Sequence, residues 1–162
     1  MTDQSNSAGR NAMLGLALSV AAPFAGAAES PTQQITRAGT QASFAGPAEN
    51  FVGKVRVDPL FAADANVEAS AAYVSFEPGA HSAWHTHPAG QRLVVTSGIG
   101  LTQEWGKPVQ QIHPGDVVVC PPGVKHWHGA APHSAMTHLA LTGVADGKTV
   151  TWMEQVLSLI HI

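Results

Sequence analysis

The chain has 162 residues, a formal net charge of −3 and only 12% charged residues. That length suits one domain, and with no basic cluster anywhere, nucleic acid is not an expected partner. The lone Cys120 excludes an internal disulfide; within the run Val117-Val118-Val119-Cys120 it reads as a small buried hydrophobe.

In chain order, Arg10 precedes an uncharged, Ala- and Leu-rich stretch that ends in Ala25-Gly26-Ala27. A basic residue, an apolar run and a small-x-small site together read as a secretory signal peptide over residues 1–28. This implies a periplasmic or secreted protein with no membrane contact after processing, or a cytoplasmic one if the segment is not a working signal. Residues 29–48 read as an extended arm, residues 49–156 as the folded domain and residues 157–162 as a non-native apolar tail. The domain opens with a strand over residues 51–57, followed by a turn or short helical loop over 58–63. Further strands are expected over residues 69–76, 82–87, 91–97, 100–105, 109–112, 116–120, 126–129 and 136–141. Residues 149–154 form a last strand or the start of a helix. No stretch sustains a helical period. Many short strands punctuated by 16 Gly and 11 Pro indicate an all-β, single-domain, double-sheet jelly-roll barrel.

The chemistry concentrates in two of these hairpins. Trp84-His85-Thr86-His87-Pro88-Ala89-Gly90-Gln91 reads as strand, tight turn and strand. Side chains two apart on a strand share a face, so His85 and His87 aim together and Gln91 can turn its amide oxygen to the same point. Behind a Pro121-Pro122-Gly123 turn, His126 supplies a third imidazole. Three neutral nitrogens, one oxygen and open positions suit a catalytic transition-metal site better than a closed structural one. The same alternation turns Ala72, Val74, Phe76, Leu93, Val95, Ala140 and Thr142 inward as a mostly apolar pocket for a small molecule. His138 faces the same interior outside either hairpin, and its ordinary pKa of about 6.5 suits a general base; His128 can orient a ligand or close the pocket. His113, His81 and His133 read as loop or surface residues. Trp84 and Trp127, flanking the ligand histidines on the opposite register, read as packing residues.

These residues resemble the two motifs of the cupin superfamily. Gly79, His85, His87, Gln91 and Gly98 fall in register with the first, with Gln91 where Glu is usual. Gly115, Pro121, Gly123 and His126 fit the second, with Ala130 where Asn is usual. From about residue 44 to residue 156 the chain is similar to the small single-domain cupins that include bacterial manganese-dependent hydroxynitrile lyases. The matching strings include Phe44-Ala45-Gly46-Pro47-Ala48, Ala83-Trp84-His85-Thr86-His87-Pro88 and Lys125-His126-Trp127-His128-Gly129-Ala130. The resemblance implies a cupin double-stranded β-helix that binds a divalent transition metal, with Mn first and Fe, Zn, Ni or Co as alternatives. It further implies a homo-oligomer, dimer or tetramer, and carbon–carbon lyase activity on cyanohydrins, with His138 as base. His81, where the lyases carry Arg, and Thr142, where Gln is frequent, depart from their pattern and bear on substrate choice. A neutral Gln in place of a carboxylate leaves the bound cation with about one more unit of positive charge, an effect that grows as the surroundings dry out. That favours non-redox chemistry on a hydroxyl or carbonyl. A cupin dioxygenase acting on a small aromatic or diketone substrate, a non-catalytic metal- or small-molecule-binding cupin, and a different carbon–carbon lyase stand as rival readings.

Overall fold

The structure is a computed structural model, and it describes Met1 and residues 30–157. The expected signal peptide and the apolar tail lie outside the described residues, apart from Met1 and Leu157 at their margins. The chain divides into Met1–Ile35 and Thr36–Ile162. Of the first unit, residues 30–35 are irregular and exposed. The second unit carries everything that follows.

Among the described residues there are thirteen strands and no helix, and no helix long and apolar enough to cross a membrane. The strands are β1 (Phe44–Ala45), β2 (Phe51–Val52), β3 (Val55–Phe61), β4 (Ala69–Phe76), β5 (His81–Ser82), β6 (His85–Thr86), β7 (Gln91–Gly98), β8 (Gly100–Glu104), β9 (Gln110–Ile112), β10 (Val117–Cys120), β11 (His126–Ala130), β12 (Met136–Gly143) and β13 (Thr151–Trp152). Six make one antiparallel sheet in the order β1-β3-β4-β12-β7-β10. Seven make the other, ordered β13-β6-β11-β5-β2, with β8 against β11 and β9 against β8. Non-consecutive neighbours and purely antiparallel pairing are the signature of the jelly roll.

Strand alternation builds the core. On β12, Met136, His138, Ala140 and Thr142 are buried while the residues between them are half-exposed. On β7, Gln91, Leu93 and Val95 are buried. The inner faces of the two sheets meet in a cluster of Val55, Val74, Phe76, Leu93, Val95, Ile112, Met136 and Ala140, where a fully buried side chain such as Leu93 contributes roughly 1.5–3 kcal/mol. Trp84, Leu101 and Trp127 form a second cluster, on the register opposite to the histidines, as the sequence indicates for both tryptophans. Cys120 is buried, and burial pushes its thiol up to about 11, the behaviour of an inert packing residue.

Two sequence expectations are corrected. Residues 58–61 form no turn or helical loop but continue β3. Pro59 is tolerated because the register shifts between Pro59 and Phe61 and β1 reaches only Val57 on the strand's other side, so no ladder bond is asked of its missing N–H. His81 is no loop residue: it is buried in β5, with its ring against Trp127 at 5.7 Å. His113 and His133 are exposed, as expected. Phe44–Ala45, within the stretch expected as an arm, pairs with β3 as an edge strand.

Candidate metal centre and its cavity

The two ligand hairpins are tied together by one carbonyl. His87 O accepts from Gly90 N–H at 3.2 Å, closing the first turn, and from Gly123 N–H at 3.0 Å, in the turn that precedes His126. Gly90 sits at φ +79°, and a Cβ there would come within 2.9 Å of Cys120 O, so the close approach of the two turns requires glycine. Strand register does the rest. His126 stands directly across from His85, and Trp152 directly across from His85 on its other side, so the three share one inward-facing row. Gly129 ends the histidine run because β11 passes so near β5 that a Cβ would lie 2.4 Å from His81 Cβ.

The rings of His85, His87 and His126 form a triangle with centroid separations of 5.0, 4.3 and 5.4 Å. Each of the three turns its Nδ1 to a backbone carbonyl: His85 to Ala83 at 2.9 Å, His87 to Thr149 at 2.6 Å, His126 to Val124 at 3.1 Å. A carbonyl only accepts, so Nδ1 carries the proton and Nε2 is left with its lone pair. Nε2 of His87 and of His126 are buried without a partner. Gln91 donates from Nε2 to Thr142 Oγ1 at 3.0 Å, and its Oε1 is likewise buried and unpartnered. Orphaned buried acceptors are costly unless something electropositive meets them, and a donor set of imidazole nitrogens and one amide oxygen fits a divalent transition metal.

Burial keeps these imidazoles neutral, the form that binds metal. His85 is held well below its ordinary value by desolvation and then by its neighbour His126. Desolvation brings His87 down to about 4 and lowers His126.

His128 and His138 form a second pair. His138 Nε2 and His128 Nδ1 are 3.1 Å apart, and Phe76 packs against both rings at 5.6–5.8 Å. Burial holds His138 at about 4 and His128 well below the ordinary range, the latter with added repulsion from His138. Ligand-capable atoms of His85, His126 and His128 all lie within 4.8 Å of one another, a grouping that takes in His128 and leaves out His87. Orientation separates the two. The Nδ1 of His128 meets another imidazole, whereas that of His87 is set by a carbonyl like those of His85 and His126.

A cavity of about 320 Å³ opens on this cluster. His85, His87, Gln91, His128 and His138 line it on the polar side. Of the residues expected on its wall, Ala72, Val74, Ala140 and Thr142 are there. Phe76, Leu93 and Val95 are not: they face inward but sit deeper, in the core cluster at 0–1% exposure. Alternation assigns a face and says nothing of depth. The sequence reading missed Phe51, Val150 and Trp152 on the wall. Val150 and Trp152, two apart in an extended segment, carried the signal that located His85 and His87.

Comparison with known proteins identifies the family. The sequence profile of the cupin domain matches residues 72–141. The chain is 58% identical to a curated (R)-mandelonitrile lyase of Granulicella tundricola over 123 residues, covering 76% of this chain and 94% of that relative. Among solved structures, a cupin-like protein of Thermotoga maritima superposes with a TM-score of 0.66 at 38% identity, covering 76% of this chain and 91% of its own. A cupin-2 domain protein of Rhodospirillum rubrum gives 0.61 at 22% identity over 76% and 82%, a likeness of fold. With the barrel, both histidine hairpins and a lyase matched along nearly its whole length, the chain belongs to the cupin family.

Proposed function

We propose that the chain is a metal-dependent carbon–carbon lyase that interconverts a cyanohydrin with its aldehyde and cyanide. The observation that carries this reading is the set of buried, unpartnered acceptors His87 Nε2, His126 Nε2 and Gln91 Oε1 beside an uncharged cavity. The 58% identity to (R)-mandelonitrile lyase supports the choice of reaction. His85, His87, Gln91 and His126 would hold the cation, with manganese the first candidate and iron, zinc, nickel or cobalt compatible with the same donors. When bound, such a cation supplies Lewis-acid stabilisation of negative charge developing on an oxygen.

The protein's own groups handle the proton. The hydrogen bond between His128 and His138 accommodates two tautomeric arrangements. If His138 Nε2–H donates, His138 Nδ1 is bare; if His128 Nδ1–H donates, His128 Nε2 is bare. Either way the pair offers one unprotonated nitrogen to a substrate hydroxyl. His138 is the base in the first arrangement and His128 in the second, each then oriented by the other. The hydroxyl proton passes to the imidazole, the bond to the nitrile carbon breaks as the carbonyl forms, and departing cyanide takes the proton. A site that holds His138 near 4 keeps the ring in the accepting form at neutral pH and makes its conjugate acid quick to return the proton. The mainly apolar wall excludes water, which would otherwise compete for the proton.

The test is direct. Manganese-loaded protein is mixed with mandelonitrile and benzaldehyde release is followed by absorbance. Release well above the buffer rate is expected; none, with the metal content confirmed, overturns the reading.

A further inference from the structure

The substrate's organic group meets a part of the cavity that the hydroxyl and cyanide chemistry does not use. No Lys, Arg, Asp or Glu is found among the described residues that line it, so apart from the cation that the ligand set would hold, nothing there compensates an ionised substituent. One corner is aromatic. Trp152 and Phe51 meet edge to face at 5.3 Å and 66°, and Trp152 lies over ligand His85 at 4.8 Å. The six-stranded sheet lines the cavity with the small side chains Ala72, Val74 and Ala140, and with Phe44 and Val57 from its β1 edge. A space in which fixed aromatic rings stand close to short aliphatic groups favours a planar group over a puckered one of similar size.

The corner is held firmly. Trp152 is fixed by register opposite His85. The segment that carries it is fastened by Met153 N–H to Trp84 O at 2.9 Å, Trp84 N–H to Glu154 O at 3.0 Å, an ion pair from Glu154 to Lys125, and Gln155 Nε2 to Glu49 O at 2.8 Å. Lys125 in turn lies over the Trp105 ring at 3.5 Å. Phe51 is tied by its N–H to Pro47 O at 3.0 Å and pairs with Ser82. Three chain segments far apart in sequence thus fix two rings beside one ligand histidine.

We propose that Trp152, with Phe51, is the specificity-determining element of this site and selects substrates whose reacting carbon bears a neutral, planar aryl group. This rests on the lyase reading for what the reacting carbon is, but the selection can be measured without turnover.

The experiment titrates manganese-loaded protein by calorimetry with benzyl alcohol and with cyclohexylmethanol, neutral alcohols of the same skeleton, one planar and one puckered. The aryl alcohol is expected to bind at least about threefold tighter. Trp152→Leu should abolish that preference with metal content unchanged, Phe51→Leu should weaken it, and Trp152→Phe should keep most of it. Equal affinities in the parent protein overturn the proposal. So does a Trp152→Leu protein that keeps the preference, or one that loses its metal, which would make the indole a support for His85 rather than a selector. If Trp152→Leu does not fold, the same decision falls to Phe51→Leu. Failure to cleave mandelonitrile would sink the lyase reading and leave this one standing; turnover without aryl preference would do the reverse.

Discussion

The two sheets bring opposite chemistries to one cavity. The β6–β11 side of the seven-stranded sheet contributes His85, His126 and His128, the first two with Nδ1 aimed by a carbonyl two residues earlier in the chain. The β4–β12 side of the six-stranded sheet contributes Ala72, Val74 and Ala140, with His138 and Thr142 as its polar members. On the first side the rings of His85 and His126 are oriented by backbone and that of His128 by His138; on the second, size and apolarity are what most of the residues offer. Ion binding and substrate fit are therefore separable by mutation, although the groups concerned lie within a few ångströms of each other.

The largest expected effect is on the histidine side. His126→Ala removes an imidazole whose Nε2 is buried and aimed inward, and should abolish retention of metal after dialysis, read by elemental analysis. If the ion is retained at full stoichiometry, His128 has taken its place, and the ligand set is the alternative group of His85, His128 and a further donor.

Acid should act on both sides at once. His87 and His138 are each brought by burial to about 4 from an ordinary value near 6.5. Between those values the unfolded chain binds more protons than the folded one, so stability falls as the pH falls. The stability contributed by keeping these rings neutral is fully present above about 6.5 and is lost on the way down to about 4. For each such ring the slope is up to about 1.4 kcal/mol per pH unit. Urea unfolding of metal-free protein at pH 7.5 and pH 5 should show a clear drop in midpoint; identical midpoints would mean that these rings take up protons as readily in the folded barrel as in the unfolded chain.

The smallest effect belongs to the apolar wall. Ala140→Leu adds three carbons to a cavity of about 320 Å³ and should leave metal content untouched while lowering kcat/KM for an aryl cyanohydrin by about tenfold, since a misfitted group of this size costs roughly 1–3 kcal/mol. An unchanged kcat/KM would place the organic group elsewhere.

Legibility in the sequence followed the same division. His85, His87 and Gln91 could be grouped from spacing because a strand's period of two and a short turn fix where neighbours point, while His126 joined them through the resemblance to the second cupin motif; the structure brings the three imidazoles together. His138 was legible for a related reason: β12 alternates over its whole length. Depth was not legible. Phe76, Leu93 and Val95 obey the same alternation as Ala72 and Ala140, yet they are sealed at 0–1% exposure while Ala72 and Ala140 reach the cavity wall. Trp152 and Phe51, about 100 residues apart, become neighbours only through the pairing of β13 with β6 and of β2 with β5, which local pattern does not encode. Pro59 misled for the opposite reason: its turn signal is real, but an irregular register lets a strand ignore it.

One oxygen atom has a wider consequence. Because His87 O receives amide protons from both ligand turns, neither loop can relax without loosening the other, and their relative pose is settled when the barrel folds. An arriving ion then has little ordering to do, so its affinity is not eroded by the entropy of gathering scattered donors. Demetallated protein should accordingly keep its circular dichroism and its resistance to proteolysis, and take up metal at a speed governed by entry through the cavity mouth rather than by rearrangement of the polypeptide.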